Sequence, residues 1–181
     1  MNQAVEQLER IVSMAQETVK GATDGFTIPY SMFDMLETGA GFGLSRGYGL
    51  SLVYGDVTDA APGSWSLQIA SALAVDVPHR PEIGMWVNEM NSQAVLGKYY
   101  YRVTQDGTMS AAIWEMFAWS RLFEDLRGAA GQAVLQWLIE HLREALNASS
   151  EVAAGFIARF GGRQLMPNED DMTTLLVISS G

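Results

Sequence analysis

The chain has 181 residues, 48% of them hydrophobic and 18% charged, which is enough apolar material for one sizeable core and too much for a disordered chain. Its net charge of −10 argues against nucleic acid or an anionic membrane as the main partner, because both reward clustered Lys and Arg. The absence of cysteine excludes disulfides, thiol catalysis and cysteine-ligated metals. The first residues, Met1 to Glu6, carry neither a basic start nor an apolar run, and no window approaches a membrane span, so a cytoplasmic protein is expected.

Val5, Leu8, Val12, Ala15 and Val19 recur at three- and four-residue steps, the stripe of an amphipathic helix that ends at Lys20-Gly21. That helix covers either its own sheet, the preferred reading, or the same helix of a second subunit. Between Phe26 and Val77 the period shortens. Strands are predicted over 27–36, 48–57 and 65–77, although the alanines of the third (Ala70, Ala72, Ala74) leave a helix as the competing reading. Gly39-Ala40-Gly41-Phe42-Gly43 lies between the first two. A dinucleotide fingerprint needs a helix to open directly after its glycines, and a P-loop needs a Gly-Lys-Ser/Thr ending. Here a strand-like run follows, so the stretch reads as a mobile hairpin loop rather than a phosphate cradle.

Pro78 and Pro81 stop the third strand and open a helix whose apolar residues are Ile83, Met85, Trp86, Val87 and Met90. A hairpin follows. Lys98 to Val103 is rich in aromatic and β-branched residues, Asp106-Gly107 favours a tight turn, and Met109 to Trp119 forms the return strand. Val134, Leu135, Leu138, Ile139, Leu142 and Leu146 mark a long helix. Asn147 to Ser150 reads as a break with an N-cap at Ser149 or Ser150, and Glu151 to Phe160 as a short helix closed by Gly161-Gly162. Glu169-Asp170-Asp171 reads as a solvated linker without the spacing of a calcium loop. The terminal Leu175-Leu176-Val177-Ile178 run reads as an added strand on a sheet edge, its own or a neighbour's.

The expected fold is α+β: an antiparallel sheet of about five strands flanked by helices, in the order αβββαββα with a C-terminal helix and tail. Residues 1–160 would form a single domain, and 161–181 a tail with the added strand. In that order, and in the run from Val77 to Asn91 with its Asn88-Glu89-Met90-Asn91 ending before the paired strands, the chain resembles the YbjN-like and type III secretion chaperone-like proteins of bacteria. The resemblance covers roughly residues 4 to 147. It implies a dimerising or peptide-holding domain without enzymatic activity.

Chemistry-bearing residues are few. His79 lies in a proline-bounded turn and His141 beside the apolar stripe of the long helix. Neither has metal-ligand spacing with nearby acids, and no Gly-x-Ser-x-Gly elbow is present. Glu140 and Glu144 flank Arg143 on a charged helix face. Glu115 stands out within an apolar strand and is expected either exposed or paired across the hairpin with Arg102. Tyr99, Tyr101, Trp114, Met116 and Trp119 are spread over both hairpin faces, and only one face needs to cover a core. They are therefore the candidate peptide- or partner-binding residues, against burial in the core or in a homodimer.

The expected function is non-enzymatic: a chaperone-like protein that binds a client through an apolar sheet surface or edge, as a homodimer. The client would be a peptide or protein, basic by complementarity to the net charge, and no cofactor or metal is called for. The alternative is a small-molecule-binding or enzymatic domain with a pocket between helix and sheet.

Overall fold

The computed structural model describes residues 3–21, 27–31, 39–46, 49–58, 64–95, 97–119 and 128–180. Helix α1 (Gln3–Gly21) precedes four strands, β1 (Thr27–Ser31), β2 (Gly39–Arg46), β3 (Gly49–Thr58) and β4 (Ser64–Pro78). Helix α2 (Pro81–Gln93), the hairpin β5 (Lys98–Val103) and β6 (Met109–Trp119), and α3 (Gly128–Asn147) follow. The chain closes with a π-helical segment (Ala148–Val152), α4 (Ala153–Phe160) and α5 (Glu169–Ser180). The expected α+β class and antiparallel sheet are present. The sheet has six strands in the order β1-β2-β3-β4-β6-β5, one more than the sequence suggested.

The additional strand is the glycine-rich stretch, expected as a mobile loop. β2 pairs residue for residue with β3 from Gly39↔Asp56 to Arg46↔Gly49. Its glycines serve close approach. A Cβ on Gly43 would overlap the Met172 methyl of α5, and one on Gly41 would meet the Val53 carbonyl at 2.6 Å. The other residues of β2 supply core: Phe42 and Leu44 are fully buried. Of the first predicted strand, Thr27–Ser31 is strand, and residues 32–38 lie outside the described residues.

The sheet separates two apolar layers. On one side Val12, Ala15 and Val19 of α1, Ile83 and Val87 of α2, Ile139, Leu142 and Leu146 of α3, and Phe156 and Phe160 of α4 pack on Phe42, Val53, Leu67, Ile69 and Leu73. α1 thus covers its own sheet. On the other side α5 lays Met172 and Leu175 on Leu50, Leu52, Ala72 and Val75. Each fully buried side chain of this size contributes about 1.5–3 kcal/mol by leaving water. α3 does not break at Asn147: the backbone runs through the π-helical segment into α4, with no side-chain cap at Asn147.

The tail is a helix rather than an added strand. Asn168 Oδ1 accepts the Asp171 amide at 2.9 Å, which caps the helix, and Glu169, Asp170 and Asp171 place negative charge in its first turn. The acidic run is therefore a helix start and not a linker. Gly161 and Gly162, at φ 85° and 93°, turn the chain so that Arg163 and Val75 exchange both backbone hydrogen bonds at 2.9 Å. Arg163 then donates to Asp76 and to Asp171, both at 2.8 Å. Through Arg163 the segment that leads into α5 is bound to the sheet at β4.

Candidate functional site at the outer edge of the hairpin

The sheet ends in two edges, and they differ. β1 carries Pro29, which has no amide hydrogen to offer a further strand, and its register with β2 is irregular between Thr27 and Tyr30. β5 pairs with β6 without interruption from Lys98↔Glu115 to Val103↔Ser110. In such a strand alternate residues turn both backbone groups to the same side.

The side that β5 turns outward is fixed by Asn91. Its Nδ2 donates to the Tyr99 carbonyl at 2.8 Å, and its Oδ1 accepts the Tyr99 amide at 2.7 Å. One side-chain amide at the end of α2 thereby replaces the strand that would otherwise pair with Tyr99. Tyr101 and Val103 point the same way by alternation, and among the described residues no group bonds their backbone amides or carbonyls. Val103 is also 42% exposed. The edge is closed at one end and open over the following residues.

The candidate aromatic residues separate on this frame. Tyr99 is only 9% exposed and meets Trp86 of α2 edge-on at 5.7 Å. Trp86 in turn packs on Phe156 at 4.8 Å, so Tyr99 belongs to the core that ties α2 and α4 to the hairpin. It cannot present itself to a partner, which corrects its assignment as a binding residue. Tyr101 is half-buried and stacks on His79 at 6.0 Å, with its ring beside Gly84. Trp114 pairs in register with Tyr99, Met116 with Ile69 and Trp119 with Ser66; their side chains lie outside the described ones. The role of Asn91 is not legible in the sequence, although the Asn88-to-Asn91 pattern marks the place. Asn88 itself is exposed.

The opposite face of the hairpin holds the buried carboxyl. Glu115 is 7% exposed and so is not solvated; the Arg102 charge across the hairpin acts on it, while the Arg102 guanidinium lies over the Tyr100 ring at 5.5 Å. Burial pushes the Glu115 carboxyl above its ordinary range, and the nearby Tyr100 hydroxyl and Arg102 charge offset this only in part. Tyr100 is pushed up to about 12 by its own burial and then by the Glu115 charge. Glu115 Oε1, Tyr100 Oη and Gln68 Oε1 are all buried and none makes a well-formed hydrogen bond among the described residues, although the Tyr100 hydroxyl and the Glu115 carboxyl lie near enough to shift each other. Register places Gln68 and Glu115 on one face of the sheet, diagonal to each other.

Elsewhere polar groups serve the core. The Ser51 and Ser71 hydroxyls hydrogen-bond across β3 and β4. His141 is buried, its Nδ1 donating to the Trp137 carbonyl at 2.6 Å. His79 is exposed, and Glu140 is exposed and accepts from Gln136 at 3.1 Å. Among the described residues no three His, Asp or Glu side chains are grouped to hold a metal, and no helix is long and apolar enough to cross a membrane. No family model matches the chain, and no curated protein or solved structure is significantly similar to it.

Proposed function

We propose that the protein is a non-enzymatic, chaperone-like binding domain that holds an extended client segment by adding it to β5 as a further strand. The observation that carries this reading is the unpaired outward backbone of Tyr101 and Val103 beside the closed position at Tyr99. Strand addition takes its affinity from main-chain hydrogen bonds and its selectivity from alternate side chains. Exposed apolar residues are available for such contacts on the strand (Val103) and elsewhere on the surface, including Met85 of α2, which is 65% exposed.

The element order supports the resemblance to the YbjN-like and type III secretion chaperone-like proteins: a helix, successive strands, a helix, a hairpin and a long helix, with one strand more. On that resemblance the domain works as a homodimer in the bacterial cytoplasm. Light scattering that returns the mass of one chain would refute the dimer.

Val103→Pro is the test. It removes an outward amide and leaves the ladder to β6 intact, because the Val103 amide faces away from it. A displayed library of short extended peptides should yield binders for the native protein that Val103→Pro fails to retain, with unchanged circular dichroism. Equal retention by both proteins would exclude the edge.

A second reading, a small-molecule site, is favoured by the three buried atoms of Gln68, Tyr100 and Glu115 that make no well-formed hydrogen bond among the described residues. A thermal-shift screen in which a metabolite stabilises the native protein but not Glu115→Gln would support it.

A further inference from the structure

We infer that the segment β5 accepts alternates apolar with acidic residues, so that the docking edge selects charge opposite to what the whole molecule would attract. This rests on the strand-addition reading. Side chains of an added strand fall alternately on the two faces of the sheet. One set lies beside Tyr101 and Val103, on the face that β5 shares with α2, where the neighbours are aromatic and aliphatic. The other set lies beside Lys98, Tyr100 and Arg102.

That second face of β5 is cationic. Lys98 is exposed and Arg102 half-buried, on either side of Tyr100, and the strand Lys98–Val103 contains no carboxylate. A chain of net charge −10 thus sets two of its 11 Lys and Arg residues on one six-residue edge strand. The carboxyl on the same face, Glu115, stands one strand further in, opposite Lys98, and is buried. It does not reach the edge. Glu82 and Glu89 are exposed on α2, which packs on the other face through Trp86 and Gly84. Net charge averages the whole surface, whereas a docked strand meets only its cross-strand neighbours, and surface charges further off are screened within about 8–10 Å at ordinary salt. The expectation of a basic client therefore gives way at this edge to an acidic one.

Arg102 also argues against a second copy of the chain as the occupant. Two β5 strands paired antiparallel with Tyr101 of one against Val103 of the other, a register the open residues allow, would set Arg102 against Arg102, and like charges directly opposite are destabilising. Polar or basic edges deter self-association while leaving an acidic strand welcome.

The experiment uses the full chain and three fluorescein-labelled heptapeptides, Ser-Glu-Val-Glu-Val-Glu-Ser, its counterpart with Lys for Glu, and its counterpart with Ser for Val. Fluorescence anisotropy should show the Glu-Val peptide binding about tenfold tighter than the Lys-Val peptide, from the pair opposite Arg102 and the diagonal pair with Lys98 changing sign. The Ser counterpart should bind more weakly than Glu-Val. Arg102→Glu, or Lys98→Glu should the first variant lose its fold by circular dichroism, should reverse the Glu-Val and Lys-Val order. If Lys-Val binds as tightly as Glu-Val and Val103→Pro abolishes both, the edge stands and the charge inference is wrong. Binding of neither peptide to the native chain overturns both.

Discussion

Asn91→Ala separates the closed from the open part of the β5 edge. The substitution removes two hydrogen bonds, 2.7 and 2.8 Å long, between the Asn91 side chain and the Tyr99 backbone. At about 1 kcal/mol net for each, and with water able to reach the freed groups at the edge, the folded state should lose roughly 2 kcal/mol. For a chain of this size that lowers Tm by roughly 4–8 °C in a calorimetric scan. The same change lengthens the open edge by one backbone pair, since Tyr99 turns the same way as Tyr101 and Val103. The two further hydrogen bonds, to the Tyr99 amide and carbonyl, are worth about 2 kcal/mol together, so the Glu-Val peptide should bind roughly thirtyfold tighter to the less stable variant. Asn91→Asp, which keeps the acceptor for the Tyr99 amide but loses the donor to its carbonyl, should fall between the two in stability. Lower stability together with weaker peptide binding, or an unchanged Tm, would refute the reasoning.

Three further outcomes follow from the described contacts. Glu115→Gln should raise Tm at pH 7: burial raises the carboxyl's folded-state pKa above 4.5, so the native state loses stability as pH climbs from 4.5 through that raised value, and the variant lacks this fall. Identical melting curves for variant and native protein across that range would show that the carboxylate is fully compensated. Asp171 is opposed by burial, but the Met166 amide, Arg163 and Asn168 outweigh it and hold its carboxyl below 3.8. Its contribution is then complete above pH 3.8 and disappears as pH drops through the lowered folded value; amide exchange in α5 should accelerate there, and Arg163→Ala should show it at higher pH. Gly162→Ala should destabilise by at least about 1–2 kcal/mol from the left-handed backbone alone, with a Cβ 2.7 Å from the Val75 carbonyl adding to this; a melt unchanged from the native one would contradict the close approach.

Much of this architecture was legible because its period was plain. The apolar stripes of α1 and α3, the proline that opens α2, and the Asp106-Gly107 turn each agree with the element that formed. In the turn Asp106 accepts from Thr104 and Thr108, and these bonds, the Thr104 hydroxyl first, lower its carboxyl to about 2. β2 was hidden because glycine signals a loop by propensity, whereas Gly43 is there to admit Met172, a contact made by a residue far along the chain. The tail was misread because a Leu-Leu-Val-Ile run fits either period. Its helix is decided by Asn168 and the acids after it, and by Thr173 and Thr174, whose hydroxyls bond the carbonyls of Glu169 and Asp170 at 2.9 Å. Tyr99 was misplaced for a related reason: alternation tells which residues share a face but not which face the helices cover. Asn91 could be located from its pattern, yet its task depends on a fold-back from α2 to β5 that no local spacing records.

Backbone amide exchange at β5 tests the central claim most directly. In the free protein the amides of Tyr101 and Val103 should exchange rapidly, while those of Tyr100 and Arg102, turned toward β6, are already slow. With saturating Glu-Val peptide the Tyr101 and Val103 amides should slow by about a hundredfold or more, as newly paired strand amides do. A bound peptide that leaves both exchanging at their free rates would contradict the account.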